Sequence, residues 1–105
     1  MKHITLRTGE EMIEQADASH IKKLLFLPQA NPGKLSVTNQ RICFTPTQGR
    51  LSSKFEYELN QVASFSVGMA NTITLRTTAG DEHKITGMFN KRLIQALEKV
   101  HVARN

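Results

Sequence analysis

Four histidines and one cysteine are the side chains in this sequence best suited to metal ligation or to nucleophilic and acid–base chemistry near neutral pH. A nucleophile needs a base within hydrogen-bond reach, and the base needs a group that orients it. His3, His20, His83 and His101 are scattered, and none stands in a pattern with Ser or Asp that suggests a triad. Cys43 alternates with Ile42 and Phe44 and so points off their face; it reads as a structural thiol. Structural zinc needs Cys and His clustered at short spacings, which one cysteine and four distant histidines do not supply. Glu10, Glu11, Glu14 and Asp17 lack the alternating oxygen ligands and central glycine of a calcium loop. They are expected to form a solvated strand edge that discourages edge-to-edge pairing. Neither G-x-x-x-x-G-K nor G-x-G-x-x-G occurs. The residues point away from an enzyme, and no cofactor or metal is expected.

Binding chemistry has more support. The formal charge is +5 and the isoelectric point near 9.7, which favours an anionic partner: nucleic acid, anionic lipid or an acidic protein face. The charge is uneven. Residues 18–55 contain six bases (Lys22, Lys23, Lys34, Arg41, Arg50 and Lys54) and no acid. Within that third, His20-Ile21-Lys22-Lys23-Leu24-Leu25-Phe26-Leu27-Pro28 sets two lysines before four apolar residues. Basic residues on headgroups and inserted apolar tips are a sensible pairing at a membrane, where each base contributes roughly 1 kcal/mol. Lys22, Lys23, Lys34 and Arg41 are the candidate anion-binding residues, and Leu25 and Phe26 the candidate membrane or partner contacts. The same apolar run also suits a core strand, with alternate residues pointing inward. Nucleic acid has less support. Single-strand binders stack bases on exposed aromatics, whereas Phe44, Phe55, Tyr57 and Phe89 all fall at expected core positions.

The elements that must position these residues follow from length and patterning. A chain of 105 residues is one domain's worth, with a core expected from about residue 9 to 100. The longest apolar run, residues 24–27, is far short of the ~20 residues that span a bilayer. The first five residues, Met1-Lys2-His3-Ile4-Thr5, lack the apolar stretch of a signal peptide, and a lone thiol fits a reducing compartment. A cytoplasmic location is expected, peripheral to the inner membrane face if lipid is bound. Breaks fall at Pro28-to-Gly33, Pro46-to-Gly49, Gly68, Ala79-Gly80-Asp81 and Gly87. Between them, residues 34–38, 40–45, 55–59 and 72–77 alternate with period two, as half-buried antiparallel strands do. Residues 82–86 continue a hairpin after Gly80, and residues 12–19 form a weaker first strand. The period then changes: Phe89, Leu93, Ala96, Leu97 and Val100 share one helical face, with Asn90 as N-cap. The chain therefore reads as about seven short strands followed by one amphipathic helix plugging an open barrel end.

Four segments carry a family resemblance. Gly33-Lys34-Leu35-Ser36-Val37-Thr38-Asn39-Gln40-Arg41-Ile42 resembles the G-x-L-x-L-T-N-x-R-L hairpin of GRAM and related bacterial PH-like domains. Residues 55–65 resemble the family's I-P-L-x-D-I-x-x-V segment, and residues 71–81 its N-x-L-x-I-x-T-x-D-G hairpin. Gly9-Glu10 resembles the G-E that opens its first strand. The resemblance implies a mainly β fold: a PH-like, seven-stranded, partly open barrel of two packed antiparallel sheets capped by a C-terminal α-helix. It implies a non-enzymatic binding module, acting through protein contact or as a homo-oligomer, or alternatively targeting an anionic phospholipid membrane. Fold does not choose between these.

Overall fold

The computed structural model describes residues 4–24, 27–47 and 54–105. Leu25 and Phe26, the expected tip contacts, lie outside the described residues, as does Arg50. Seven strands are described: β1 (Met12–Leu24), β2 (Leu27–Thr38), β3 (Arg41–Pro46), β4 (Phe55–Glu58), β5 (Val62–Val67), β6 (Ile73–Thr77) and β7 (Glu82–Thr86). One helix, α1 (Asn90–Lys99), follows. All strand pairs are antiparallel, in a single sheet of order β4-β3-β2-β1-β7-β6-β5 that bends over itself without closing. This is the expected mainly β, open-barrel architecture.

Alternation builds the core. Leu35, Val37, Ile42, Phe44, Phe65, Ile73, Leu75 and Ile85 point to the concave side and are essentially inaccessible. The helix covers that side with Leu93, Ile94, Ala96 and Leu97. Burying each large aliphatic side chain contributes about 1.5–3 kcal/mol, so the helix's apolar stripe holds it against the sheet. In the turn between β6 and β7, Gly80 takes φ +95° while its N–H donates to Thr77 O at 3.0 Å.

Three expectations need correction. The break at Pro28 to Gly33 is absent: β1 runs on to Leu24 and all four turn-forming residues lie inside β2. The reason is ladder geometry. Among the described residues β3 pairs with β2 only from Gly33 onward, so Pro28 and Pro32 sit outside that ladder, paired with β1, with Thr47 N–H donating to Pro32 O at 3.0 Å. Outside that ladder a missing N–H leaves no β2–β3 ladder bond unmade. At Gly33 the strands close so tightly that a Cβ would lie 2.4 Å from Thr45 O. Second, Asn90 is not the N-cap. Phe89 holds that position, and the buried Asn90 side chain instead donates to Asn71 O and Ile85 O, both at 2.8 Å. Third, Glu10 is no solvated edge residue. It is buried and receives a two-pronged contact from Arg41, Nε to Oε2 at 2.8 Å and an Nη to Oε1 at 3.0 Å.

The Glu10–Arg41 pair is the centre of a larger lock. Thr38 Oγ1 donates to Glu10 Oε2 at 2.7 Å and accepts the N–H groups of Gln40 and Arg41. Glu10 Oε1 accepts Arg7 N–H at 2.8 Å, and Arg41 also reaches Thr5 O and Glu56. Asn39 bonds Glu11 N and Gly9 O, and Gln40 bonds Thr8 O. The Arg41 guanidinium holds the Glu10 carboxyl far below the ordinary carboxylate range, at about 2, against the opposing effect of burial.

Removing one partner of a buried ion pair strands the other, so Glu10→Gln should destabilise the fold by about 3 kcal/mol in urea unfolding. The Glu10 contribution is complete above an ordinary carboxylate pKa of 4.5 and is lost as pH falls toward 2. The acid limb of the stability profile should therefore flatten in Glu10→Gln; an unchanged limb would show that Glu10 is not the group being titrated. Gly33→Ala should cost about 3 kcal/mol through overpacking against backbone that cannot move aside, and a neutral substitution would contradict the close approach of β2 and β3.

Candidate functional site

The cations selected from the sequence do not converge. Arg41 is 7% exposed and committed to Glu10 and Glu56. Lys34 is half-buried and its Nζ meets Asp17 at 2.7 Å, directly across the β1–β2 ladder. Lys22 is exposed farther along the same ladder, roughly 17 Å from that pair at 3.3 Å per residue. Lys23 is in β1, paired with Pro28. The carboxylates are engaged as well. Arg7 reaches Glu58 and Glu56, Arg92 reaches Glu14, Arg104 reaches Glu98, and Arg76 pairs with Glu82.

A group that sequence reasoning missed lies where the open ends of the bent sheet approach each other. The Tyr57 hydroxyl on β4 is 2.7 Å from His83 Nε2 on β7, and His83 Nδ1 is 3.1 Å from His20 Nε2 on β1. The register that pairs His20 with Ile85 and Ile21 with Lys84 turns both imidazoles to the concave side. Phe44 and Phe55 edge the His20 ring at 5.4 and 5.2 Å. Beside this chain lies a concavity of about 510 Å³ lined by His20, Lys22, Pro28, His83 and Lys84. The available signal was positional: His20 and His83 stand in core-facing phase on strands that become neighbours, but that pairing is long-range.

Burial pushes the His83 pKa down, and the neighbouring His20 adds to the effect. The Cys43 thiol, opposite the core face of β3, is also buried, and desolvation raises its pKa to about 11. It is therefore a protonated, poorly nucleophilic thiol at neutral pH. Among the described residues, no three His, Cys, Asp or Glu side chains converge as a metal site would require.

The other end of β7 presents a different surface. Met69, in the turn between β5 and β6, is 91% exposed, and Met88, between β7 and α1, is 87% exposed. Asn90 ties the two segments together, since its amide bonds Asn71 O in one and lies two residues beyond Met88 in the other. Residues 61–75, which include β5 and this turn, carry no charged side chain. Ala70 and Asn71 hold the turn in left-handed conformation, φ 56° and 59°. Met88 and Phe89 also border a concavity of about 470 Å³ with Asp17, Pro32 and Gly87.

The model of the GRAM domain family matches residues 1–104. The chain belongs to the GRAM domain family. No curated protein matches it significantly. Among solved structures, the C-terminal domain of an unknown protein from Leishmania infantum superposes with a TM-score of 0.68 at 19% identity, over 89% of this chain and 85% of that one. The Vps36 N-terminal PH domain gives 0.60 at 19%, over 91% and 85%. The Spt16D Pob3N heterodimer structure gives 0.56 at 14%, over 90% of this chain and 56% of that one. These similarities establish the PH-like fold of this GRAM domain. GRAM and PH-like domains are in general non-catalytic binding modules. No helix among the described residues is long and apolar enough to cross a membrane.

A histidine whose folded pKa lies below its unfolded value of about 6.5 contributes stability above that value. That contribution is lost as pH falls through the lowered pKa. Unfolding midpoints should therefore drop between pH 7.5 and pH 5, and the drop should shrink in His83→Gln, which can still bond Tyr57. An equal drop in the variant would assign the effect to other groups.

Proposed function

We propose that this GRAM domain is a protein-contact module and that it associates with a second copy through the Met69–Met88 end. The observation that carries this reading is the pair of almost fully exposed methionines on two segments tied by one buried asparagine. Methionine is flexible and polarisable and suits adaptable apolar contacts. Held on tied segments, the two exposed side chains offer apolar area that a partner face could cover. Charge supports a second copy as occupant. The excess positive charge sits in residues 18–55, whereas residues 61–75 are uncharged, so the Met69 side of this face brings no like charges together.

The alternative is an anionic-lipid module, and one observation favours it: Lys22 and Lys84 both border the concavity beside His83. Against it, Lys34 and Arg41 are spent on carboxylates. A headgroup would have to compete with Asp17 and Glu10 for them.

Light-scattering mass across a concentration series should rise above 11.8 kDa. Met69→Ser with Met88→Ser should hold it at the monomer value while leaving the unfolding midpoint nearly unchanged, since neither side chain is buried. A mass that stays at 11.8 kDa throughout would sink self-association. Pelleting with anionic but not neutral vesicles, falling with salt and lost in Lys22→Glu, would replace this reading with the lipid one.

A further inference from the structure

β5 is an edge of the sheet, and its edge is covered in an unusual way. The N–H of Phe65 donates to Ala103 O at 2.8 Å, and the N–H of Asn105 donates to Phe65 O at 2.8 Å, a parallel bridge between Phe65 and Arg104. Residues 102–105 thus lie along β5 as a fragment of an eighth strand. Val102 is buried against the core. Arg104 lies 6.0 Å over the Phe65 ring and meets Glu98 of α1 at 3.1 Å. Asn105 Nδ2 donates to Ser64 Oγ at 3.0 Å.

Two features make this cover removable. First, it is lightly held. Its described anchors are three backbone hydrogen bonds (the two to Phe65 and Val102 N–H to Leu97 O at 3.1 Å), the Asn105–Ser64 bond, one exposed ion pair, the Arg104–Phe65 contact and one apolar side chain, each a modest net contribution. His101, which joins it to α1, adopts φ 65°, a left-handed conformation costly for a non-glycine residue. Second, the strand beneath lacks the usual defences of an edge. β5 carries no lysine, no other charge and no proline, the devices that keep edges from pairing with other chains. Its one irregularity, a register shift between Val62 and Ser64, lies before Phe65.

We infer that the β5 edge is a docking site for an extended peptide from a partner protein, bound parallel to the strand, and that residues 102–105 occupy it in the free domain. Those residues specify the chemistry of the occupant. It has an apolar side chain at the Val102 position and a basic one two residues on, set over Phe65 and against Glu98. Main-chain bonds supply affinity and the two side chains supply selectivity, as in other strand-addition complexes. The inference rests on the reading of this GRAM domain as a protein-contact module but uses a surface independent of Met69 and Met88. The occupied edge lowers the apparent affinity for a partner by the fraction of molecules in which it is closed.

The test uses the full chain in two forms, unmodified and Arg104→Glu/Asn105→Pro, which removes the cation and the Asn105 donor. The probe is a synthetic peptide with the sequence of residues 100–105, titrated while backbone amide shifts are followed. The expected result is perturbation of residues 64–67 and α1, with roughly tenfold tighter binding to the substituted chain. A peptide carrying Glu for its arginine should bind neither form. Absence of binding to the substituted chain, or equal binding to both forms, overturns the inference. Hydrogen exchange on the unmodified chain is the second measurement and needs no variant. The Phe65 and Asn105 amides should exchange at least about a hundredfold faster than those of Leu75 and Ile85, as a locally opening segment would. If Phe65 and Asn105 are as protected as those core amides, residues 102–105 are an integral strand and the inference fails. The light-scattering series reads the methionine face separately, so failure at β5 leaves that reading intact, and the reverse.

Discussion

The buried pair of Glu10 and Arg41 is the interaction on which one half of the molecule depends. The segment before β1 has little apolar surface to bury, and Leu6 is substantially exposed. What fastens it is polar: Glu10 to Arg41 and Thr38, Asn39 to Gly9 and Glu11, Gln40 to Thr8. Every residue of the β2–β3 turn from Thr38 to Arg41 contributes. Two segments that resemble the family at separate places in the sequence, Gly9-Glu10 and Thr38-Asn39-Gln40-Arg41, are one structural unit. A buried pair of this kind stabilises little net of its desolvation. It does make one arrangement of segment and turn far better than its neighbours, because any slip leaves a charge without its partner.

That lock changes how the basic character of the chain should be understood. A count of lysines and arginines suggests a positive face, yet Arg7, Lys34, Arg41, Arg76, Arg92 and Arg104 all end on carboxylates elsewhere in the fold. Exposed pairs among these are worth little individually. Their effect is to cancel local potential, so that the net charge overstates what an approaching anion encounters. The stretch around β5 and its turn carries no charged side chain, while Lys54, Lys91 and Lys99 are exposed away from it.

Much of the fold was legible because it depends on local period. Ile42 and Phe44, Ile73 and Leu75, and the helical stripe of Leu93, Ala96 and Leu97 repeat at spacings that allow one burial pattern. What escaped was decided by partners far along the chain. Pro28, Asn31, Pro32 and Gly33 have the composition of a turn, and only the end of β3 opposite Gly33 explains why β2 tolerates them. Asn90 has the composition of a cap, yet Asn71 and Ile85 claim its amide. Arg41 looks like a ligand-binding cation until Glu10, thirty-one residues earlier, is brought to it. The candidate site was less legible than the fold for the same reason. His20 and His83 are informative only as neighbours, and Met69 and Met88 only as exposed side chains whose loops are joined.

The two edges of the open sheet are protected by different means, and the difference bears on function. β4 carries Glu56 and Glu58, whose charges are held in place by Arg7 and Arg41, so its exposed face is committed to the N-terminal lock. Disturbing it would disturb the buried pair. β5 has no charge to hold and is shielded by a short segment anchored through a strained residue. Opening that segment would withdraw Val102 from beside the helix stripe but would leave the Glu10–Arg41 lock untouched. A sheet that bends without closing must leave two edges. Here the charged defence stands where the fold needs it, and the uncharged edge is covered by a short segment that adds only Val102 to the core.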